Sequence, residues 1–270
     1  MIFLLILLLI LFFLWLMALR GSGRREKMEP FRNHLYAHRG LYGGAVPENS
    51  LSAFRAARDQ GYGIEFDLHL LKDGNIGILH DSNLKRMTGR EEILEDLTSE
   101  DLKTRFLQGT RETIPTFSQV LALYQGTAPL IIELTSYEGN AALLTETACR
   151  MLKDYPGPYC LESFDPKCVL WLKKIRPDLI RGQLSENFLS IRNSPVPWIL
   201  RFLGSYHLES FLTRPDFIAH KFCDRKTLSN ALIRKFWKVP GIAWTIQNQQ
   251  ELETARKEGW IPIFEGFLPQ

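Results

Sequence analysis

The sequence predicts an α/β fold, a TIM (β/α)8 barrel of eight parallel strands with their helices, and three observations support this prediction. Short β-branched or apolar runs alternate with helical patterns, which is typical of a parallel sheet. The residues from Met28 to Gln270 contain no Ser/Gly-rich linker and no repeat that would divide them. Eight strand–helix units usually take about 250 residues, so one barrel accounts for this length.

The first 19 residues contain no charged side chain and are almost wholly Leu, Ile and Phe. A helix of this length spans about 28 Å, close to the thickness of a bilayer's hydrocarbon core. The sequence therefore predicts one N-terminal transmembrane helix at residues 1–19. Basic residues follow it, so the positive-inside rule predicts a single-pass membrane protein with its main domain in the cytoplasm. An uncleaved or atypical export signal is the alternative.

The basic excess of the chain is confined to the residues that follow this helix. Of 33 Lys and Arg, four precede Met28, and of 30 Asp and Glu only Glu26 does, so the remainder has no formal net charge. Residues 20–33 are therefore predicted to be a basic juxtamembrane linker that meets lipid headgroups, and residues 34–270 to be the barrel domain. Nothing in this balance suggests a nucleic-acid partner. The four cysteines show no metal-binding spacing and predict reduced thiols.

Eight short runs are predicted to be the barrel strands. They are Leu35–Ala37, Ile64–Leu68, Leu130–Leu134, Tyr159–Glu162, Ile180–Gln183, Phe217–Ala219, Ile242–Thr245 and Ile261–Glu265. A further run, Ile76–His80, follows the turn residues Asp73-Gly74, which favour a tight hairpin because glycine accepts positive φ. The sequence thus predicts a β-hairpin extension after the second strand.

The helices between these strands have recognisable ends. Ser, Thr, Asp or Asn before a helix can accept a hydrogen bond from one of its first backbone N–H groups. Glycine or proline beyond the last turn ends the helix. The predicted caps are Asn49 or Ser50, Thr116 with Gln119, Asp165 with Pro166, and Asn248 with Glu251.

The predicted hairpin carries a cluster of polar side chains. Glu65, Asp67 and His69 share one face of the second strand, because strand side chains alternate. If Asp73-Gly74 is a two-residue turn, His80 lies opposite Asp67 on that face. Burying unpaired charge is costly, so the cluster predicts a functional site. A solvated face with incidental charges is the alternative.

Reactive side chains recur at the predicted carboxyl ends of the strands, where the active sites of such barrels lie. They are His38 and Arg39, then Glu65 and Asp67, Glu133, Ser163 and Phe164, Lys221, and Trp244. Three carboxylates without a cysteine or histidine cluster predict a hard cation, Mg²⁺ or Ca²⁺. Such an ion beside Arg39 suits an anionic, phosphate-like substrate, and two histidines on the same rim can act as acid and base.

Four motifs follow one another at a characteristic order and spacing: AHRG, PENSLSAF, IEFDLHLLKDG and ILHDSNLKRMTG. They resemble the glycerophosphodiester phosphodiesterase family, and weaker similarity in IPTFSQVLALY, IIEL, ESFDP, RGQL and AWTIQN extends the resemblance over nearly all of residues 35–267. It implies a TIM-barrel phosphodiesterase that uses a divalent metal to release an alcohol and glycerol 3-phosphate. It further implies an acid/base pair at His38 and His80, a phosphate contact at Arg39, and metal ligands at Glu65, Asp67 and Glu133.

Three positions depart from the family pattern. The family usually has a Lys two residues after the third carboxylate, where this chain has Thr135. Its Asn after the Trp-Thr pair is matched only by Gln247 or Asn248, and its closing Thr-Asp is replaced by Phe264-Glu265-Gly266. These departures bear on the choice of substrate more than on the type of reaction.

Lys221 and Trp244 are the predicted substrate contacts besides Arg39. A Lys at position 135 would point from the third strand toward the phosphate, and Thr135 removes that charge. We expect Lys221, just beyond the sixth strand on the same rim, to supply the missing cation. In the alternative, Lys221 is solvated and Thr135 only tunes affinity.

Two long stretches and the function itself leave alternatives open. Residues 82–115 form either a lid over the rim or simple surface packing. Residues 188–214 hold more aromatic side chains than one apolar stripe needs, so they form a core helix or a membrane-facing or acyl-chain-binding surface. The predicted function is a membrane-anchored glycerophosphodiesterase. The alternatives are a lysophospholipase D-like enzyme acting on membrane lysophospholipids and a non-catalytic lipid-binding barrel.

Overall fold

Eight parallel strands close into a barrel in the computed structural model, which describes residues 2–270. The strands in chain order, with one added antiparallel strand, are β1 (Tyr36–His38), β2 (Gly63–Leu70), β3 (Ile76–Ile78), β4 (Leu130–Leu134), β5 (Tyr159–Ser163), β6 (Arg181–Ser185), β7 (Phe217–Lys221), β8 (Gly241–Ile246) and β9 (Trp260–Phe264). β1 pairs with both β2 and β9, which closes the ring, and β3 pairs only with β2.

The predicted TIM-barrel fold and its eight strands are confirmed, each within two residues of its predicted bounds. Alternation along these strands separates two apolar layers. One layer fills the barrel, and the other packs the outer side of the strands against the helices. Because the barrel is filled with side chains, a site can form only at its rim.

The helices surround the barrel and link successive strands. They are α1 (Ile2–Ala18), α2 (Leu51–Asp59), α3 (Lys85–Thr88), α4 (Ser99–Leu102), α5 (Phe117–Tyr124), α6 (Ala141–Met151), α7 (Pro166–Ile175), α8 (Trp198–Ser205), α9 (Ser210–Thr213), α10 (Leu228–Ala231) and α11 (Gln249–Lys257). The predicted caps are confirmed. Ser50 Oγ accepts from Ala53 N at 3.1 Å, and Asn248 Oδ1 accepts from Glu251 N at 2.9 Å.

The hairpin after β2 is confirmed, but its predicted register is wrong by one residue. Leu68 lies opposite Ile78, so the pairing does not place His80 opposite Asp67. The loop has three residues, 72–74, and its glycine adopts a φ of 79°, a left-handed conformation that glycine tolerates. β3 ends at Ile78, and His80 therefore reaches the rim from beyond the ladder rather than through it.

The N-terminal segment corrects a second prediction. α1 has 17 residues, and within residues 2–270 no helix has the length and apolar character needed to cross a membrane. The prediction of a transmembrane helix at residues 1–19, and with it a single-pass membrane protein with a cytoplasmic main domain, is therefore wrong; Met1 lies outside the described residues. The helix stops at Ala18 because Leu19 is drawn into the core and Arg214 donates to the carbonyl oxygens of Met17 and Arg20.

The basic stretch after α1 packs against the barrel. Arg24 donates from Nε to Asp216 Oδ1 at 2.8 Å, and a 3-10 helix spans Arg25–Phe31. Met28 and Phe31 of this helix are fully buried, in the apolar cluster that fills the barrel. The division of the chain at residues 19 and 33 stays a prediction.

Residues 82–115 form an ordered unit beside the hairpin. Its apolar side chains, together with Leu71 and Leu79, make a small core of their own. Two of its polar side chains, Arg86 and Glu95, turn back toward the rim. This unit is therefore a packed extension of the barrel whose charged groups approach the carboxyl end of β2.

Candidate active site

One cavity of about 180 Å³ lies at the carboxyl ends of the barrel strands. It brings together all eight residues that the sequence analysis singled out as site residues: His38, Arg39, Glu65, Asp67, His80, Glu133, Lys221 and Trp244. The cavity is also lined by Glu162, Phe164, Leu184, Glu186 and Ile263. A larger cavity, about 580 Å³, lies between α10 and the start of β9, but half of its ten lining residues are Arg or Lys, and it includes none of the residues named above.

The three predicted metal ligands form a compact carboxylate group. Asp67 on β2 is the register partner of Glu133 on β4, and Glu65 lies two residues before Asp67 on the same face. One oxygen from each lies within 4.8 Å of the others. Burial and the neighbouring carboxylates raise the pKa of Glu65 and of Glu133 well above the usual range. Glu65 Oε2 has no hydrogen-bond partner within residues 2–270, so the group could hold a cation.

His38 is oriented by a carboxylate at the end of the last strand. Its Nδ1 lies 2.6 Å from Glu265 Oε2, and Tyr42 donates its hydroxyl to the same oxygen at 3.0 Å. The hydrogen bond from His38 lowers the pKa of Glu265 to about 2. His38 Nε2 lies 3.7 Å from Glu65 Oε2, so the second ring nitrogen faces the carboxylate group.

His80 is held by a carboxylate of its own. Its Nδ1 lies 2.6 Å from Asp81 Oδ1. Arg86, from the unit at residues 82–115, donates from Nε to Asp81 Oδ2 at 2.5 Å. Burial alone would raise the pKa of Asp81, but the hydrogen bonds from Arg86 and His80 lower it. Each histidine of the cavity is thus fixed at Nδ1, which leaves its Nε2 for a substrate.

Arg39 is linked to Arg86 through a shared carboxylate, that of Glu48. Arg39 Nη1 and Arg86 Nη2 each donate to Glu48 Oε1 at 2.8 Å. Arg39 Nε is buried, lies 3.8 Å from Asp67 Oδ2 and has no hydrogen-bond partner within the described chain. The guanidinium is therefore held at one edge and has a free N–H at another.

The opposite wall of the cavity is aromatic. Trp244 and Phe164 meet edge to face with their centroids 5.7 Å apart, and Phe188 packs on Phe164 at 5.9 Å. Lys221 Nζ donates to Glu186 Oε2 at 2.8 Å and lies 5.8 Å from the centroid of the Trp244 ring. Lys221 thus lines the cavity as predicted, but Glu186 holds its ammonium group.

Two other polar residues that the sequence analysis emphasised lie outside this lining. His69 is fully buried, and its Nδ1 lies 2.7 Å from Glu95 Oε1 in the unit at residues 82–115. Ser163 donates its hydroxyl to the Leu134 carbonyl at 2.6 Å. Both hold neighbouring segments together.

Residues 38–264 match the Glycerophosphoryl diester phosphodiesterase family. The chain belongs to this family. A glycerophosphodiester phosphodiesterase of Caldanaerobacter subterraneus subsp. tengcongensis is 32% identical over 238 residues, which cover 83% of this chain and 89% of that protein. The Bacillus subtilis protein YhdW is 34% identical over 250 residues, covering 87% of this chain and 96% of its own. The chain is therefore an enzyme that hydrolyses glycerophosphodiesters.

The barrel fold is also shared with solved structures. An Oleispira antarctica phosphodiesterase, in complex with the product sn-glycerol-3-phosphate, superposes with a TM-score of 0.70. The two are 23% identical, and the match covers 87% of this chain and 93% of the other. The likeness supports the fold of the present phosphodiesterase.

Three acidic residues of this phosphodiesterase's site were not predicted from the sequence. Glu162, 1% exposed, is the register partner of Glu133, and burial together with Glu65 and Asp67 raises its pKa. It ends a predicted strand on the inward face, so alternation alone could have found it. Glu265 was noticed only as a departure from the family pattern. Glu186 lies in a loop, where no periodicity indicates which way a side chain points.

Proposed function

We propose that this phosphodiesterase binds a divalent cation, Mg²⁺ or Ca²⁺, at Glu65, Asp67 and Glu133 and uses His38 and His80 as its acid and base. The products would be an alcohol and glycerol 3-phosphate. The observation that carries the proposal is the lining of one cavity by three clustered carboxylates and two carboxylate-held imidazoles. An acid and a base that act on one phosphodiester must lie close to each other, and each must be oriented by a hydrogen bond.

The carboxylate group fits a hard cation on its own chemistry. Burial and the neighbouring carboxylates raise the pKa of Glu65 and of Glu133, so the three clustered side chains repel one another unless positive charge neutralises them. Oxygen ligands without sulfur or nitrogen favour Mg²⁺ or Ca²⁺. When bound, such an ion would withdraw charge from the phosphoryl oxygens.

The two imidazoles can divide the proton transfers between them. Glu265 engages Nδ1 of His38 and Asp81 engages Nδ1 of His80, so each ring can exchange a proton at Nε2. One ring would take the proton of the attacking oxygen as its bond to phosphorus forms. The other would give a proton to the alcohol oxygen as the phosphorus–oxygen bond to it breaks.

Arg39 is suited to hold the phosphate during this exchange. Its Nε–H is buried without a hydrogen-bond partner among residues 2–270, and Glu48 fixes the other edge of the guanidinium. A fixed donor aimed at a charged oxygen stabilises it without reorganisation. Trp244 also contributes a buried indole N–H without a partner in this part of the chain.

A lysophospholipid is the second candidate substrate, because an aromatic surface leads out of the cavity. Phe164 contacts Phe188, and Phe188 begins a segment whose apolar side chains lie in solvent. These side chains are Leu189, Ile191, Trp198, Leu200 and Phe202. An acyl chain attached to the glycerol could lie along them. The non-catalytic lipid-binding barrel loses its support, because the chain belongs to an enzyme family.

The experiment is a comparison of substrates with the purified full chain. Glycerophosphocholine and a lysophosphatidylcholine are each incubated with the enzyme, first with chelator and then with added Mg²⁺ or Ca²⁺. We expect release of choline from glycerophosphocholine only with metal. Faster turnover of the lysophospholipid would favour the second candidate. Hydrolysis of neither substrate in the presence of metal would contradict both.

A further inference from the structure

The ammonium group of Lys221 is held in the cavity much as a ligand would be. Its Nζ donates to Glu186 Oε2 at 2.8 Å and lies 5.8 Å from the centroid of the Trp244 ring. Phe164, edge-on to Trp244, lines the cavity as well. A carboxylate and one aromatic ring thus flank one positive charge, and a second ring packs against the first.

This combination is the chemistry that recognises alkylammonium groups. An aromatic face attracts a cation through its quadrupole, with tryptophan the strongest of the side chains. A quaternary ammonium cannot donate a hydrogen bond, so it depends on such faces and on a nearby carboxylate. Glu186 and Trp244 supply both, in the same cavity as the three clustered carboxylates.

The ion pair between Lys221 and Glu186, which occupies this part of the cavity, can be broken. The side chain of Lys221 is 41% exposed and that of Glu186 17% exposed, and partly solvated pairs of this kind add little net stability. The lysine charge sits on a flexible four-carbon stem, so it can turn without moving β7. The other cation in the lining is Arg39, which Glu48 holds.

We propose that Glu186, Trp244 and Phe164 form a subsite for an alkylammonium headgroup, and that Lys221 occupies this subsite in the free enzyme. A cationic headgroup displaces the Lys221 ammonium from Glu186 and frees it to turn toward the phosphodiester anion. This inference rests on the proposed function. It names the preferred substrates as glycerophosphodiesters whose alcohol carries an ammonium group.

Charge balance supports the exchange. In the free enzyme Lys221 and Glu186 neutralise each other. In the complex the headgroup neutralises Glu186, and Lys221 is available for the phosphate, so neither partner is left with an unpaired charge. Thr135 stands where the family usually has a lysine. The missing positive charge is therefore supplied only when a cationic headgroup has released Lys221.

The test compares two substrates, glycerophosphocholine, whose alcohol is cationic, and glycerophosphoglycerol, whose alcohol is neutral. The quantity measured is the kcat/KM of the first divided by the kcat/KM of the second. Losses common to both substrates cancel in this ratio. Glu186→Gln should lower the ratio about 10-fold, because it removes the carboxylate but keeps the shape. Lys221→Met should lower kcat/KM for glycerophosphocholine more than for glycerophosphoglycerol, because only a cationic headgroup frees Lys221 for the phosphate.

Two matched controls and a binding measurement complete the experiment. Glu253→Gln on α11 and Lys226→Met, both exposed and outside the cavity lining, should leave the ratio unchanged. Calorimetric binding of free choline should weaken in Glu186→Gln and strengthen in Lys221→Met. An unchanged ratio with unchanged choline binding in Glu186→Gln would overturn the subsite. Hydrolysis of neither diester would instead contradict the proposed function, while choline binding still tests the subsite.

Discussion

His38 Nδ1 lies 2.6 Å from Glu265 Oε2, so the residue after the last barrel strand orients the imidazole at the end of the first strand. β1 and β9 are neighbours in the closed sheet, which is why residues 227 positions apart meet. Glu265 stands where the family's closing strand usually ends in Thr-Asp. The sequence therefore differs from the family pattern here but still places a carboxylate, that of Glu265, beside His38.

Replacing this carboxylate should reduce turnover without removing the imidazole. In Glu265→Gln the side-chain shape is kept, but the charge that favours one orientation and protonation state of His38 is lost. We expect kcat to fall about 10-fold, less than the roughly 10²-fold cost of losing an acid or base. Steady-state kinetics across pH will measure the effect, and an unchanged kcat and pH profile would exclude a positioning role for Glu265.

The same contact should make stability depend on acid pH. The pKa of Glu265 is lowered from 4.5 to about 2 by the hydrogen bond from His38. A lowered folded-state pKa stabilises the protein above the unfolded-state value, and this contribution is lost as pH falls through the folded-state value. The difference in melting temperature between the native chain and Glu265→Gln should thus shrink between about pH 4.5 and pH 2. A constant difference over that range would contradict the assignment.

Removal of one clustered carboxylate should separate activity from stability. In Glu133→Gln the proposed cation site loses a ligand, so turnover should be abolished at low metal concentration. The mutual repulsion of the buried carboxylates also falls, so the melting temperature in chelator should stay the same or rise. Glu253→Gln is the matched control. Full activity of Glu133→Gln at low metal would remove Glu133 from the site.

The two imidazoles should act as one unit. His38→Ala and His80→Ala should each lower kcat by about 10²-fold or more, which is the usual scale of general acid–base catalysis. The double variant should lose far less than the product of the two, because both residues serve the same reaction step. Independent, multiplicative losses would show that they do not share a step.

Arg86 should position both His80 and Arg39. It donates to Asp81, which holds His80, and to Glu48, which holds Arg39. In Arg86→Met both carboxylates lose a donor, so kcat should fall through His80 and KM should rise through Arg39. Lys85→Met, at an exposed neighbouring position, is the control. A loss of melting temperature with unchanged kcat, KM and pH profile would mean a purely structural role.

The barrel and most of the site could be predicted from local sequence patterns. The face on which a strand residue lies and the position at which a strand ends are both local properties. Glu65 and Asp67 share a face by alternation, and the carboxyl end of a parallel strand lies at the rim wherever its neighbours are. The predicted hairpin register was wrong because the turn contains three residues, 72–74, rather than two. His80 nonetheless lines the cavity, although it lies beyond the paired residues of the hairpin.

The remaining contacts of the site involve segments whose positions cannot be predicted from a local sequence pattern. Arg86 and Glu95 come from the unit at residues 82–115, and their partners are set by how that unit packs on the hairpin. The transmembrane prediction failed for a related reason. Hydropathy described residues 1–19 correctly, but the helix ends at Ala18, where Leu19 packs into the apolar layer outside the barrel strands.

Hydrolysis should depend on a cation held by Glu65, Asp67 and Glu133 beside the two imidazoles. The most direct measurement is phosphorus NMR of glycerophosphocholine with metal-stripped full-length enzyme, titrated with Mg²⁺ or Ca²⁺ while bound metal is counted. We expect the rate of glycerol 3-phosphate formation to rise in proportion to bound cation, up to one cation per chain, and Asp67→Asn to show neither binding nor product. Product formed at the full rate by the metal-stripped enzyme would contradict this dependence.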